Sequence, residues 1–364
     1  TLWDDDQVDL FLQQLVPKLP DRDGDWQDYR RRIDAIPGFA DDLEQRPVLL
    51  EMIVKTLPAF EPGEPIERAS LYQRYLRKEL QRQKVEKGRE LLLDDSVRFE
   101  LLQKLAVDSY TDEGGGISYP AAREQLLEKL PPTEQISEER IAHHTRDFLQ
   151  CSFLKPGPQD IFVFSHRSFR GYFAAKELMP QLLDGSVQPQ PIDQDCTRFL
   201  SEMLAEHCTP EFYRKQVQTA LAKNGLPEWI SEKDGRYFST LPDGLQVEMV
   251  YVPKGPFVLG AEGALKPQIA LLEKGFWIDK SPVTVAQFQA FVRATGYQTQ
   301  AEREGGGWLY RGSNWQQNKK AIWSDPFATG VKISGILDHP VVQVSWHDAQ
   351  EFCKWAGKTL PDEK

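Results

Sequence analysis

The sequence predicts an α+β multidomain protein, with an α-helical part plus a winged-helix region followed by a smaller α+β domain. Three observations predict it. Residues 1–180 are dominated by helical periodicity in Leu-rich, charge-laced stretches. Residues 241–364 hold Trp277, Trp308, Trp315, Trp323, Trp346 and Trp355, with many glycines and short strand-like runs. The 364 residues, at about 150 per domain, give room for two or three domains. The expected division is a helical domain over residues 1–60, a winged-helix and helical region over 61–183, a linker with short helices over 184–240, and the second domain over 241–364.

Taken in order, residues 6–16 and 26–36 read as short helices. After Arg46-Pro47, the run Val48-Leu49-Leu50-Glu51-Met52-Ile53-Val54 is a strongly apolar helix with proline in its first turn, where the missing N–H costs little. Leu71, Tyr72, Tyr75, Leu76 and Leu80 fall at spacings of one, three and four, giving a helix with one buried stripe. Leu101, Leu102, Leu105 and Ala106 repeat the pattern, and a helix over 137–150 buries Ile141, Phe148 and Leu149. Residues 152–155 and 161–164 read as two short strands around the turn Pro156-Gly157-Pro158-Gln159-Asp160. A helix then begins at Ser165 or His166, with Phe169, Tyr172 and Phe173 on one face. Helices followed by such a β-hairpin wing predict the winged-helix module. Beyond it, Pro189, Pro191, Pro210 and Pro227 mark a connector with one helical stretch over 195–208.

In the last part, Leu245, Val247, Met249 and Tyr251 alternate along a strand. Pro253-Lys254-Gly255 predicts a hairpin turn into a second strand over 256–260. Residues 276–280 form a third strand, and Thr284 caps a helix carrying Phe288, Phe291 and Val292 that ends at Gly296. Val341-Val342-Gln343-Val344 reads as a strand. Ser345 with Asp348 is a capping-box arrangement for a helix whose inward face holds Ala349, Phe352, Cys353 and Ala356. That face makes Cys353 a core thiol rather than a nucleophile.

Charge narrows the function classes. Forty-four basic against 55 acidic residues leave a net charge of −11. Phosphate backbones are held by Lys and Arg, so an acidic chain is a poor nucleic-acid binder and no nucleic-acid partner is expected on the favoured reading. The one basic cluster, Arg77, Lys78, Arg82, Lys84, Lys87 and Arg89, is interleaved with Glu79, Glu86 and Glu90, as on a solvated helix face. No apolar run approaches the ~18 residues of a membrane span and the first residues lack a secretory pattern, so the expectation is a cytoplasmic chain with no membrane partner. Cys151, Cys196, Cys208 and Cys353 form no C-x-x-C pair, which disfavours zinc and dithiol chemistry and favours reduced, buried thiols. The chain opens on Thr and closes on Leu360-Pro361-Asp362-Glu363-Lys364, and is read as an internal piece of a longer protein.

Phe164-Ser165-His166-Arg167-Ser168-Phe169-Arg170-Gly171-Tyr172-Phe173-Ala174-Ala175 resembles the F-x-H-x-S-F-x-E-Y-F-A-A pattern that closes the winged-helix region of NACHT-type STAND NTPases, with Gly171 in place of the usual acidic residue. Arg46-Pro47-Val48-Leu49-Leu50 is similar to the P-L-L-L segment of the same family's helical domain. The resemblance implies a nucleotide-gated switch in which Pro47 packs near the adenine of bound ADP or ATP and His166 reaches the β-phosphate. A plain structural role stays open to each, Pro47 as a helix start and His166 as a helix cap. No G-x-x-x-x-G-K-[ST] occurs, and neither Gly114-Gly115-Gly116 nor Gly305-Gly306-Gly307 is followed by Lys-Ser or Lys-Thr. A phosphate cradle needs that lysine, so a hydrolytic core is expected to precede Thr1.

Met249-Val250-Tyr251-Val252-Pro253-Lys254-Gly255-Pro256-Phe257 is similar to the opening of the formylglycine-generating enzyme (sulfatase-modifying factor) family. So are residues 276–280, Pro282-Val283-Thr284 and Ala294-Thr295-Gly296-Tyr297 with Thr299 and Glu302. The likeness continues through His339-Pro340-Val341-Val342-Gln343-Val344-Ser345-Trp346-His347-Asp348-Ala349 and Trp355-Ala356-Gly357-Lys358-Thr359-Leu360-Pro361. Val285, Thr359 and Asp362-Glu363-Lys364 depart from the family pattern. The resemblance implies an incomplete C-type-lectin-like α+β domain. In the catalytic members a cysteine pair binds copper and calcium loops follow. Both are expected beyond Lys364, so no catalytic or metal residue is assigned.

Related ergothioneine-type chemistry needs an H-x-x-x-H-x-E motif, which adjacent His143 and His144 do not supply. The favoured reading is a STAND-type switch whose second domain senses a ligand, a protein or a small molecule, or acts as output, with homo-oligomerisation on activation. The alternative is a copper-dependent oxidase of cysteine or thiol substrates regulated by the helical part. A DNA-binding winged helix is the third reading. Whether the protein is an enzyme stays open.

Overall fold

The computed structural model describes residues 3–36, 47–61, 63–85, 93–111, 116–129, 137–150, 153–158, 161–260, 266–330 and 333–361. Arg46, Glu86, Lys87, Arg89, Glu90, Gly114, Gly115, Cys151, Ser152, Gln159, Asp160 and the closing Asp362-Glu363-Lys364 lie outside them. The chain divides into two units, Thr1–Thr209 with Pro256–Leu271, and Pro210–Gly255 with Leu272–Lys364. The first boundary falls some thirty residues before the change in composition near 240.

The first unit begins with α1 (Asp5–Leu15) and α2 (Trp26–Asp34), each opened by an aspartate capping box, Asp4 with Gln7 and Asp25 with Asp28. These satisfy N–H groups that a helix start leaves orphaned. α3 (Pro47–Thr56) starts on its proline and buries Leu49, Leu50, Met52, Ile53 and Val54. α4 (Arg68–Val85) buries Leu71, Tyr72, Leu76 and Leu80 of the expected stripe, with Tyr75 half-buried. Two residues of its basic cluster are paired, Arg82 with Glu79 and Lys78 with Asp21, though Glu79 itself is buried rather than on a solvated face.

Next come α5 (Asp95–Asp108), β1 (Ile117–Ser118), α6 (Tyr119–Lys129), α7 (Glu138–Leu149), β2 (Leu154–Pro156) and β3 (Ile161–Phe164). The three strands form an antiparallel sheet in the order β1-β3-β2, with Leu154 opposite Phe164 and Ile117 opposite Phe162. Strand β1 has no counterpart in the sequence reading, because two residues carry no period. Arg98 of α5 is fully buried and ion-paired to Asp147 of α7 at 2.7 Å. A guanidinium so far from water requires that carboxylate.

α8 (Arg167–Asp184) follows, stopped by Gly185 in the left-handed region at φ 79°. After β4 (Gln190–Pro191) comes α9 (Gln194–His207), capped by Asp193. Residues read as a connector thus include a core helix, since Cys196, Phe199, Leu200 and Met203 of α9 are buried. Tyr72 is ringed by Phe169, Tyr172 and Phe199 with centroids 4.9–5.6 Å away. The contact between α8 and α9 is close because of Gly171. A Cβ there would lie 2.7 Å from the Cβ of Asp195 and from the backbone nitrogen of Cys196.

The second unit opens with α10 (Pro210–Asn224), β5 (Ile230–Lys233), β6 (Arg236–Thr240) and β7 (Gln246–Val252). β5 and β6 are joined by Asp234-Gly235, both at positive φ. Asp-Gly with that geometry is the commonest tight hairpin turn, a signal the sequence reading passed over. Val247, Met249 and Tyr251 are buried as expected, whereas Leu245 is exposed and precedes the strand.

The expected hairpin across Pro253-Lys254-Gly255 is not formed. β8 (Gly255–Leu259) pairs instead with β9 (Gln268–Leu272) in a β4-β9-β8 sheet of the first unit. β7 lies between β6 and β10 (Phe276–Asp279) in the order β10-β7-β6-β5, so both of its edges are taken.

α11 (Val285–Thr295) runs from the Thr284 capping box to Gly296, as predicted. α12 (Gln300–Arg303) leads into the hairpin β11 (Gly307–Arg311) and β12 (Asn314–Asn318), and α13 (Trp346–Trp355) closes the described chain. Phe288, Phe291, Trp323 and Phe352 form the core between α11 and α13. No helix among the described residues is long and apolar enough to cross a membrane.

Two outcomes follow from this packing. Gly171→Ala should destabilise the protein by about 1–3 kcal/mol, as overpacking against backbone does, read from the urea midpoint. Hydrogen bonds from Arg236 and Lys280 hold the Glu248 carboxyl down at about 2, below the usual glutamate value of 4.5. A depressed folded value means the pairing stabilises fully above about pH 4.5 and is lost as pH falls to about 2. Glu248→Gln should therefore be less stable than the parent at pH 6, with the gap closing by pH 2 in the same measurement.

Candidate functional site

Two places concentrate chemistry, one in each unit. In the first, His166 is the N-cap of α8, and its Nδ1 accepts from the Ser168 backbone N–H at 3.2 Å and lies 2.7 Å from the Ser168 hydroxyl. A neutral ring whose Nδ1 accepts carries its proton on Nε2. Pro47 is the first residue of α3. The two therefore stand at the starts of two separate helices, where the helix dipole is positive.

The rest of the histidine-centred motif divides in two. Phe169, Tyr172, Phe173, Ala174 and Ala175 are buried in the core. Arg167 and Arg170 pair with Asp195 and Asp193 at 3.0 and 2.8 Å, and Arg170 also stacks over the Tyr110 ring at 4.7 Å. Gly171, the departure from the resembled pattern, is where α9 comes nearest, so a side chain of any size would displace Asp195 and Cys196.

The described thiols do not make a metal pair. Cys196 is buried, Cys208 exposed and Cys353 half-buried. The exposure of Cys208 departs from the expectation of buried thiols. Cys196 lies in the first turn of α9 and Cys208 is its C-cap, twelve positions on and about 18 Å away at 1.5 Å per residue. Burial and the Asp279 carboxylate push the Cys353 thiol up, away from the thiolate form a nucleophile needs. Among the described residues no group of three or more His, Cys, Asp or Glu side chains is placed to hold a metal ion.

The second place is a cleft of about 540 Å³ in the C-terminal unit, between the β11–β12 hairpin, α12 and the approach to α13. The Asp348 carboxylate, fully buried, organises its base. Its Oδ1 accepts from the Tyr297 hydroxyl at 2.9 Å and from the Gln300 N–H at 3.0 Å, and its Oδ2 accepts from the Ser345 N–H at 2.7 Å. One side chain thus joins the starts of α12 and α13.

Gln343 fixes the hairpin. Its Oε1 accepts from the Trp308 N–H at 3.2 Å, and its Nε2 donates to the carbonyls of Trp308 and Pro326, both at 3.1 Å. The residue sits at φ 60°, which is why residues 341–344, read as a strand, are irregular apart from an adjoining bridge between Thr284 and Pro340. A left-handed residue ends the alternation a strand needs and aims the amide at β11.

The glycines excluded as a phosphate cradle have their use here. Gly306 is at φ 97°, and a Cβ on Gly307 would meet the Gln343 Oε1 at 2.0 Å. Sequence reasoning found the Ser345–Asp348 box but missed the cleft. The hairpin's Gly312-Ser313 turn, both residues at positive φ, was the available signal.

Residues 237–364 match the family model described as Sulfatase-modifying factor enzyme 1-like domain, so the C-terminal part carries an FGE-sulfatase domain. The chain is 36% identical over 138 residues to the formylglycine-generating enzyme of Streptomyces coelicolor, covering 31% of this chain and 44% of that enzyme. It is 33% identical over 142 residues to the formylglycine-generating enzyme of Mus musculus, covering 32% and 37%. It is also 35% identical over 137 residues to the inactive C-alpha-formylglycine-generating enzyme 2 of Mus musculus, covering 32% and 44%. The chain therefore spans about two fifths of the length of these relatives.

Asp348→Ala would strip the acceptor from the Tyr297 hydroxyl and from the Gln300 and Ser345 N–H groups, leaving only the Ser345 half of the α13 capping box. The expected loss is about 2–4 kcal/mol, from three part-buried donors left without their acceptor, measured as a fall in thermal midpoint.

Proposed function

We propose that this chain belongs to a cytoplasmic, nucleotide-gated signalling protein of the NACHT/STAND type, whose FGE-sulfatase domain recognises a ligand or passes on the signal. The observation that carries the reading is the element order α5-β1-α6-α7-β2-β3, with the sheet order β1-β3-β2, leading into α8. That order fits a winged-helix module, and the helix after it is capped by His166.

In this reading ADP or ATP lies against Pro47 and His166. A neutral imidazole protonated on Nε2 donates to a phosphate oxygen, and a rotation of domains breaks that contact. The dipoles at the starts of α3 and α8 favour the same negative charge. The P-loop lysine comes from a segment outside this sequence. The ligand of the C-terminal domain is a protein or small molecule, and activation proceeds through homo-oligomerisation. One relative bears the name of an inactive formylglycine-generating enzyme, which supports a binding use of such a domain.

The second reading, a copper-dependent oxidase of cysteine or thiol substrates, is favoured by the relatives named formylglycine-generating enzymes. Mass spectrometry of a cysteine peptide incubated with the copper-loaded longer protein separates the two. Conversion of the cysteine to formylglycine would establish the oxidase.

The switch is tested by calorimetric titration of ADP into the longer protein that includes the P-loop. His166→Ala should bind about ten- to hundredfold more weakly, as loss of one hydrogen bond to a charged group does, or self-associate without stimulus. Unchanged affinity together with an unchanged oligomeric state would remove His166 from the switch.

A further inference from the structure

The cleft of the C-terminal domain carries a charge and hydrogen-bond balance that selects among ligands. Trp308 pairs across the hairpin with Gln317, and Tyr310 with Trp315. Side chains alternate along a strand, and directly paired residues share a face, so these four lie on one side of the hairpin. Leu309, on the opposite side, is buried. Trp308 is 55%, Tyr310 63% and Trp315 65% exposed, and the Tyr310 and Trp315 rings are 5.4 Å apart. Three large aromatic rings thus stand on one water-facing surface, with two of them lining the cleft.

The polar lining is biased toward acceptors. Among the described residues no Lys, Arg or His lines the cleft, and Glu304 is the one charged side chain that does. Each lining glutamine already spends an amide N–H within the protein. Gln343 donates to Trp308 and Pro326, Gln317 to the Gly306 carbonyl at 3.3 Å, and Gln300 to the Glu304 carboxylate at 2.9 Å. An anion would meet a carboxylate and few donors. A cation would meet the negative faces of indole rings, one carboxylate and a chain whose net charge of −11 draws it in.

We propose that this cleft binds a compact organic ammonium ion, an alkylammonium head group held against Trp308 and Trp315 and neutralised by Glu304. The proposal rests on the ligand-recognition reading above and adds the chemistry of the ligand. A volume of about 540 Å³ admits such a head group with part of its attached chain. Gln343 and Asp348 act as positioning residues, holding the hairpin and the two helix starts that frame the cleft.

The test is titration of the full chain with choline, followed by tryptophan fluorescence and calorimetry, against 3,3-dimethyl-1-butanol, its uncharged counterpart of the same shape. Choline should bind saturably, and the alcohol about tenfold or more weakly, the difference expected of a cation at aromatic faces. Trp315→Ala should weaken choline about fivefold or more, and Glu304→Gln should weaken it less, by an amount that vanishes in high salt. Both side chains are exposed, so these variants keep the fold.

Equal binding of choline and the alcohol, or no saturable choline signal, overturns the proposal. Equal binding leaves the domain a ligand receptor and removes only the cation. A null result here beside an intact His166 effect on ADP leaves the switch reading standing.

Discussion

The Asp348 carboxylate accepts three hydrogen bonds with no access to water, and the C-terminal cleft depends on it. Tyr297 ends the turn after α11, Gln300 opens α12 and Ser345 caps α13, so one residue sets three segments that are distant in sequence. Inside a protein an ion is stable only when its lone pairs are met by donors. The same demand fixes the segments that supply them. Gln343 repeats the device in neutral form, replacing a strand's ladder with a side-chain amide bonded to both backbone groups of Trp308.

In the helical unit the corresponding constraint is the absence of a side chain. Gly171 lets α9 approach α8 closely enough for Asp195 to lie where a larger residue would be. Asp193 and Asp195 then pair with Arg170 and Arg167. The histidine-centred motif is therefore mostly a packing and docking surface, and His166 is its polar end. A residue can cap a helix and still present its ring to a phosphate, because capping uses only Nδ1.

The helical half was legible because its apolar residues recur at three and four. The stripe on α4, the inward faces of α5, α7 and α8, and the Thr284 and Ser345 caps all lie where that period and cap chemistry put them. The strands were read less well. Val341-Val342-Gln343-Val344 has a strand's composition, but Gln343 turns left-handed to reach Trp308. The turn after β7 looked like a hairpin because local sequence does not reveal that β6 and β10 already occupy both edges of that strand. The Asp234-Gly235 and Gly312-Ser313 turns were readable and went unread.

Of the candidate site, the sequence carried the capping box, the glycine run and the tryptophans as separate features. By itself it determined most of the helices with their buried faces and the likeness of the C-terminal part to a sulfatase-modifying factor domain, since periodicity, caps and ordered motif blocks are local properties. Only the tertiary structure decided which strands pair, why Gly171 is a glycine, and that Asp348, Gln343 and the β11–β12 aromatics frame one cleft. Those outcomes depend on residues tens of positions apart competing for the same space and the same hydrogen-bond partners.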